Sequence, residues 1–228
     1  MDIPYVDYSE FESRVFKPEV SFSLIKNFDA YIPKEGKETI SEKVGKIKSK
    51  TSESEPFADE EDPEIVYKNT LSPSESSDIK EQVDEYIDSK NIDSEFKNYL
   101  KKMAARESSY NPYAKNQFGY MGLYQFGQSA LDDVGMSKQQ YMSDFRNQVD
   151  AAIELTRLNY KRLEPSILLY AGKSWGDIES LTKYGILAGA HLLGAGRIRE
   201  ILRNGYSRSK EYTDGNGVTA NEYFKLFS

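Results

Sequence analysis

Ala104 to Phe126 reads AARESSYNPYAKNQFGYMGLYQF, and Glu107 is its only acidic residue. The preceding segment carries Phe96, Tyr99, Leu100, Met103 and Ala104, an i, i+3, i+4, i+7 stripe that predicts an amphipathic helix from about Ser94 to Arg106. Extending the stripe four residues beyond Met103 lands on Glu107. The acid is therefore expected on the apolar face of its own helix, near the C-terminal end. Apolar surroundings and the negative end of the helix both work against a bare charge there. An acid so placed suits proton delivery. The aromatic residues that follow, Tyr110, Tyr113, Phe118, Tyr120, Tyr124 and Phe126, suit stacking against sugar rings, with Ser108, Ser109, Asn111 and Gln125 as hydrogen-bonding neighbours. The same residues admit a plainer reading, in which Glu107 ends a helix or pairs with Arg106 and the tyrosines are core.

The remaining periodicity is helical almost everywhere. Asp78 with Glu81 predicts a capped helix to about Ser89. Gln128–Val134 and Ser137–Met142 read as short helices. Asp144–Leu163 is the longest periodic segment, expected to stop at Pro165. Gly185–Leu193 is rich in Gly, Ala and Leu, which allows close helix approach. Gly196–Arg203 follows, then a turn at Asp214-Gly-Asn-Gly217, then a last helix capped by Thr219 and Glu222. Strand signals are scarce, so the fold class is mainly α.

Charge divides the chain differently. Of its 37 acidic and 30 basic side chains, 17 and 10 lie in residues 1–75, a net of −7, and the rest is balanced. Residues 1–32 have irregularly spaced aromatics and read as an extended, low-structure arm. Residues 33–76 are acidic and rich in Ser and Pro, and read as a linker. Residues 77–228 read as the folded domain. With no Cys and one His, His191, disulfides, thiolate nucleophiles and His-rich metal sites are excluded. No metal and no cofactor is expected. The absence of a basic excess argues against nucleic acid as a partner. The N-terminus lacks the pattern of a secretory leader, and no apolar run is long enough to span a membrane.

Glu107-Ser108, the run Tyr110-Asn111-Pro112-Tyr113-Ala114, Gly119 and Gly122-Leu123-Tyr124-Gln125 resemble, in order and spacing, the signature of the soluble lytic transglycosylase family. Ser129-Ala130 is similar to that family's following small pair. Two looser likenesses are the segment around Asn147 and the run Ala190–Ile198, in which His191 and Leu192 stand where the family has Tyr and Asn. The resemblance covers roughly residues 90–205. It implies a goose-type, lysozyme-like helical domain that cleaves the β-1,4 bond between N-acetylmuramic acid and N-acetylglucosamine in peptidoglycan glycan strands. It implies Glu107 as the one catalytic acid, first protonating the glycosidic oxygen and then taking the C6 hydroxyl proton as a 1,6-anhydro ring closes. It also implies substrate contacts at Ser108, Tyr110, Gly122, Leu123, Tyr124, Gln125 and His191. His191 can equally be a hydrogen-bonded core residue.

Two alternatives stay open. One is a hydrolytic lysozyme, which needs a second carboxylate at roughly 5–9.5 Å, with Asp132 and Asp133 the nearest in sequence. The other is a non-catalytic, glycan-binding structural virion protein. Family habit and the missing leader place the chain in a phage virion, its arm docked on phage structural proteins, or alternatively in the host cytoplasm as an endolysin.

Overall fold

Residues 65–228 are described in a computed structural model; the arm and most of the expected linker lie outside the described residues. Within them the chain forms α1 (Pro73–Ser89), α2 (Ser94–Ser108), α3 (Gln128–Val134), α4 (Lys138–Ser143), α5 (Phe145–Tyr170), α6 (Lys183–Leu193), α7 (Ala195–Asn204), α8 (Tyr206–Ser209) and α9 (Ala220–Phe227). Extended pairing among the described residues is confined to isolated bridges. None of these helices is long and apolar enough to cross a membrane.

The first helix begins at Pro73 rather than near Asp78. Ser72 is its N-cap: the Ser72 hydroxyl accepts from Glu75 N, and the Glu75 carboxylate accepts from Ser72 N at 2.9 Å. Pro73 then sits in the first turn, where its missing N–H costs nothing. The chain before it is already docked, because Lys68 N donates to Tyr113 O and Asn111 Nδ2 donates to Lys68 O. Lys68, which lies in the segment expected as linker, is thus fastened to the folded residues.

Helix α5 is the spine, packed against α1, α2, α3, α4, α6 and α7. Val149, Ala152, Ile153, Leu155, Leu163 and Ile167 form its buried face. It continues through Pro165 instead of stopping there. A proline inside a helix removes one backbone bond and crowds the carbonyls of the preceding turn. Here the Arg199 guanidinium, from α7, donates to the Arg162 carbonyl in that turn.

Helix α6 packs most extensively on α9. Gly189 makes this possible, since a Cβ on it would lie 2.5 Å from the Phe224 ring and 3.0 Å from Ile198 Cδ1. The close approach expected of the Gly/Ala-rich run is present, and Thr219 and Glu222 form the expected capping box of α9.

Candidate active site

Glu107 occupies the last turn of α2, and the backbone beyond it turns abruptly. Ser109 and Tyr110 both take left-handed conformations, φ 54° and 64°, which is costly for residues other than glycine. The Ser108 hydroxyl holds this turn. It donates to Leu123 O at 3.0 Å and accepts from Asn111 N at 3.0 Å, joining the end of the helix to the returning loop.

That loop is fastened from below by Gln148 of α5, which is almost wholly buried. Its Oε1 accepts from Leu123 N at 2.7 Å and its Nε2 donates to Pro112 O at 3.1 Å. Gly122 permits the contact, because a Cβ there would sit 2.5 Å from Gln148 Oε1, and its φ of 75° suits glycine. Gln125, itself left-handed, donates from Nε2 to Gly122 O.

Glu107 opens into a cleft of about 420 Å³ whose lining includes Tyr120, Gln125, His191, Asp214 and Tyr223. The Tyr223 hydroxyl, from α9, donates to Glu107 Oε1 at 2.6 Å. Burial, then the charge of Glu107, pushes that hydroxyl well above its ordinary range, so it stays a proton donor. Arg106, the alternative partner of Glu107, lies over the Tyr223 ring at 5.4 Å from its centroid. A second pocket, of about 570 Å³, shares Phe118, Tyr120, His191 and Leu192 with the first, so the two form one groove. Phe118 and Tyr120 are half exposed along it. His191 borders both parts while its Nε2 donates to Tyr124 O at 2.9 Å.

The groove holds a protonatable acid, a fixed hydroxyl donor and exposed aromatic faces, which is equipment for acid catalysis on a sugar polymer. A family model, Transglycosylase SLT domain, matches residues 84–212. The chain belongs to the SLT transglycosylase family. No curated protein and no solved structure matches it. At the level of the family, an SLT domain acts as a transglycosylase on peptidoglycan, and the helical architecture here is the lysozyme-like one.

Within this SLT domain the candidate residues separate into groups. Glu107, Gln125 and His191 reach the cleft. Ser108 and Gly122 shape the loop. Tyr110, Leu123 and Tyr124 line neither pocket, and their side chains are buried in the core. The Tyr110 hydroxyl donates to Asp84 at 2.9 Å, so any part for these three in binding falls to their backbone. Asn147 donates to Gln140 O and Ser143 Oγ at the end of α4, away from the groove. Asp132 accepts from Gln128. Asp133 is clamped by both guanidinium nitrogens of Arg162, at 2.7 and 2.8 Å, and borders the second pocket rather than the first. Hydrogen bonding to Arg162 holds its carboxyl below the ordinary range.

Two residues at the SLT cleft were not singled out from sequence. Asp214 belongs to a turn that reads as a simple chain reversal, and Tyr223 to a helix face that reads as core. Both lie beyond the residues matched by the SLT family model. Among the described residues no group of three or more His, Asp and Glu side chains could hold a metal ion.

Proposed function

We propose that the domain is a lytic transglycosylase in which Glu107 alone carries the proton chemistry. The observation that supports this is the Glu107 carboxyl in the cleft, at the signature position of the family and hydrogen-bonded by Tyr223 at 2.6 Å. In the first step the Glu107 proton passes to the glycosidic oxygen. The C1–O bond breaks, and the leaving sugar departs as an alcohol. Glu107 is then a carboxylate, and the Tyr223 hydroxyl donates to it as its charge develops. In the second step the carboxylate takes the proton of the C6 hydroxyl while that oxygen bonds to C1, closing the 1,6-anhydro ring. Glu107 ends protonated, ready for another cycle.

Incubation with purified sacculi, followed by mass-spectrometric typing of released fragments, tests this reading. It expects 1,6-anhydro ends from the wild type and no release from Glu107→Gln, with the melting temperature retained. Release by Glu107→Gln would sink the assignment.

One observation favours a second reading, hydrolysis. Asp214 supplies another carboxylate to the same cleft. Its Oδ1 already accepts from Asn216 N at 2.9 Å and Val218 N at 2.8 Å, which ties it to its own turn. On the transglycosylase reading Asp214→Asn keeps its activity. Reducing-end products that vanish in Asp214→Asn would establish hydrolysis instead.

The reading extends to the arm, residues 1–32, by composition alone. An acidic, aromatic arm suits docking on phage structural proteins, which makes the chain a virion component that opens the wall locally. Proteomic analysis of purified particles tests it, and a chain found only in the infected-cell lysate would fit an endolysin.

A further inference from the structure

The described part of the domain buries three carboxamide side chains: Asn111, Gln148 and Asn159. Two of them are engaged at both ends. Asn111 donates to Lys68 O and accepts from Tyr113 N. Gln148 donates to Pro112 O and accepts from Leu123 N. Asn159 differs. It is only 4% exposed, yet among the described residues no group hydrogen-bonds its side chain. Its polar atoms are not among those sealed from solvent, and the residue lines the second pocket of the groove. A carboxamide that faces the pocket with no protein partner is free to pair with whatever enters it.

The surroundings state what that something is. Leu155, one turn earlier on α5, borders the same pocket with Ala190 and Ala195, and all three are buried and apolar. A primary carboxamide offers a donor and an acceptor side by side, the complement of a secondary amide. The small apolar wall beside it fits a methyl group. Phe118 and Tyr120, half exposed, border the pocket as faces for a sugar ring.

We propose that Asn159 is a specificity-determining residue that reads the 2-acetamido group of an N-acetylated sugar in the part of the groove beyond Glu107. The acetamido C=O would accept from Asn159 Nδ2, its N–H would donate to Oδ1, and its methyl would rest on Leu155, Ala190 and Ala195. The identity of the polymer rests on the transglycosylase reading above; the recognition of an acetamido sugar does not require cleavage. An alanyl amide of a peptide stem shares the same chemistry, so the test separates the two sources.

The full chain is titrated, by calorimetry or nuclear magnetic resonance, with chitotetraose and with cellotetraose, which carries hydroxyls in place of acetamido groups. Wild type should prefer chitotetraose. Asn159→Leu, close in size and free of the unpaired polar group, should bind chitotetraose about tenfold or more weakly, leave cellotetraose unchanged and melt no lower than wild type. Asn159→Ala provides a second variant should leucine disturb packing. Equal loss on both oligosaccharides, or no loss, overturns the proposal.

On the wall polymer, the rate defect of Asn159→Leu should be as large on peptide-stripped glycan strands as on intact sacculi. A defect confined to intact sacculi would assign Asn159 to the peptide stem and overturn the acetamido reading. A wild type that binds chitotetraose without cleaving sacculi would defeat the enzymatic reading while the binding comparison still decides this one. A wild type that binds neither oligosaccharide defeats the acetamido proposal whatever its action on sacculi.

Discussion

Glu107 and Tyr223 are separated by 116 positions in the chain and by 2.6 Å between oxygens. Local pattern could reveal only the first of them. The stripe through Leu100 and Met103 places Glu107 on the inner face of α2, and the Glu-Ser signature around it is short-range. Tyr223, Phe224 and Phe227 form one buried face of α9, and nothing local marks that the hydroxyl on this face reaches Glu107. The aromatic loop had the same ambiguity. Tyr124 and Phe126 are interior, with Phe126 stacked on Tyr141 at 5.1 Å between centroids, whereas Phe118 and Tyr120 are half exposed at the groove. The Tyr223 hydroxyl is the hydrogen-bond donor that the structure sets against the Glu107 carboxyl. A hydrogen bond to a charged group is worth about 1.5–3 kcal/mol. Tyr223→Phe should therefore lower kcat on glycan strands by roughly tenfold to a hundredfold. KM should change little and the melting temperature only slightly, since the ring still packs. An unchanged kcat would remove Tyr223 from the chemistry.

Helix starts were legible where a side chain caps them locally. Thr219 and Glu222 mark the start of α9, whereas α1 starts at the Ser72–Glu75 box and Asp78 and Glu81 sit inside it. Glu75 carries a testable mark of that start. Hydrogen bonds from Lys68, then from the Ser72 backbone, lower its carboxyl from 4.5 to about 2. A depressed carboxyl stabilises the folded state above its unfolded value, and that contribution fades as pH falls through the folded one. A carbon-detected titration should place Glu75 near 2, and Lys68→Ala should move it toward 4.5. No movement would show that the Lys68 bond is not formed in solution. Pro165 is a different case: the buried face of α5 runs on through Leu163 and Ile167 on either side of it, so tertiary packing carries the helix past a residue that local rules read as a stop. At the contact of α6 with α9, Gly189→Ala sets a Cβ 2.5 Å from the Phe224 ring. Overpacking of this kind costs about 1–3 kcal/mol, so the melting temperature should fall. A rise would mean that the two helices have slack.

The groove depends on parts of the chain that the family signature does not span. Residues 84–212 carry the match, yet the Asp214–Val218 turn walls the Glu107 cleft and α9 supplies Tyr223. Helix α9 also closes the core, since Phe224 fills the notch left by Gly189 and Phe227 packs on Tyr99. Burying a side chain of this size contributes about 1.5–3 kcal/mol, so Tyr223, Phe224 and Phe227 together approach the net stability of about 5–15 kcal/mol typical of a domain. A chain ending at residue 212 should therefore lose cooperative unfolding as well as cleavage, although it retains every residue of the family match. The other terminus behaves oppositely. Lys68 is hydrogen-bonded to Tyr113 and Asn111, Asn69 Oδ1 accepts from Lys115 N, and α1 buries Val83 and Ile87, so the residues from 68 onward are fastened to the folded domain. A chain starting at residue 65 should melt cooperatively and digest sacculi at close to the full-length rate. Sacculus digestion and calorimetry on the two truncations decide the matter. Activity in the chain ending at 212, or its loss in the chain starting at 65, would mean that the catalytic unit has been drawn in the wrong place.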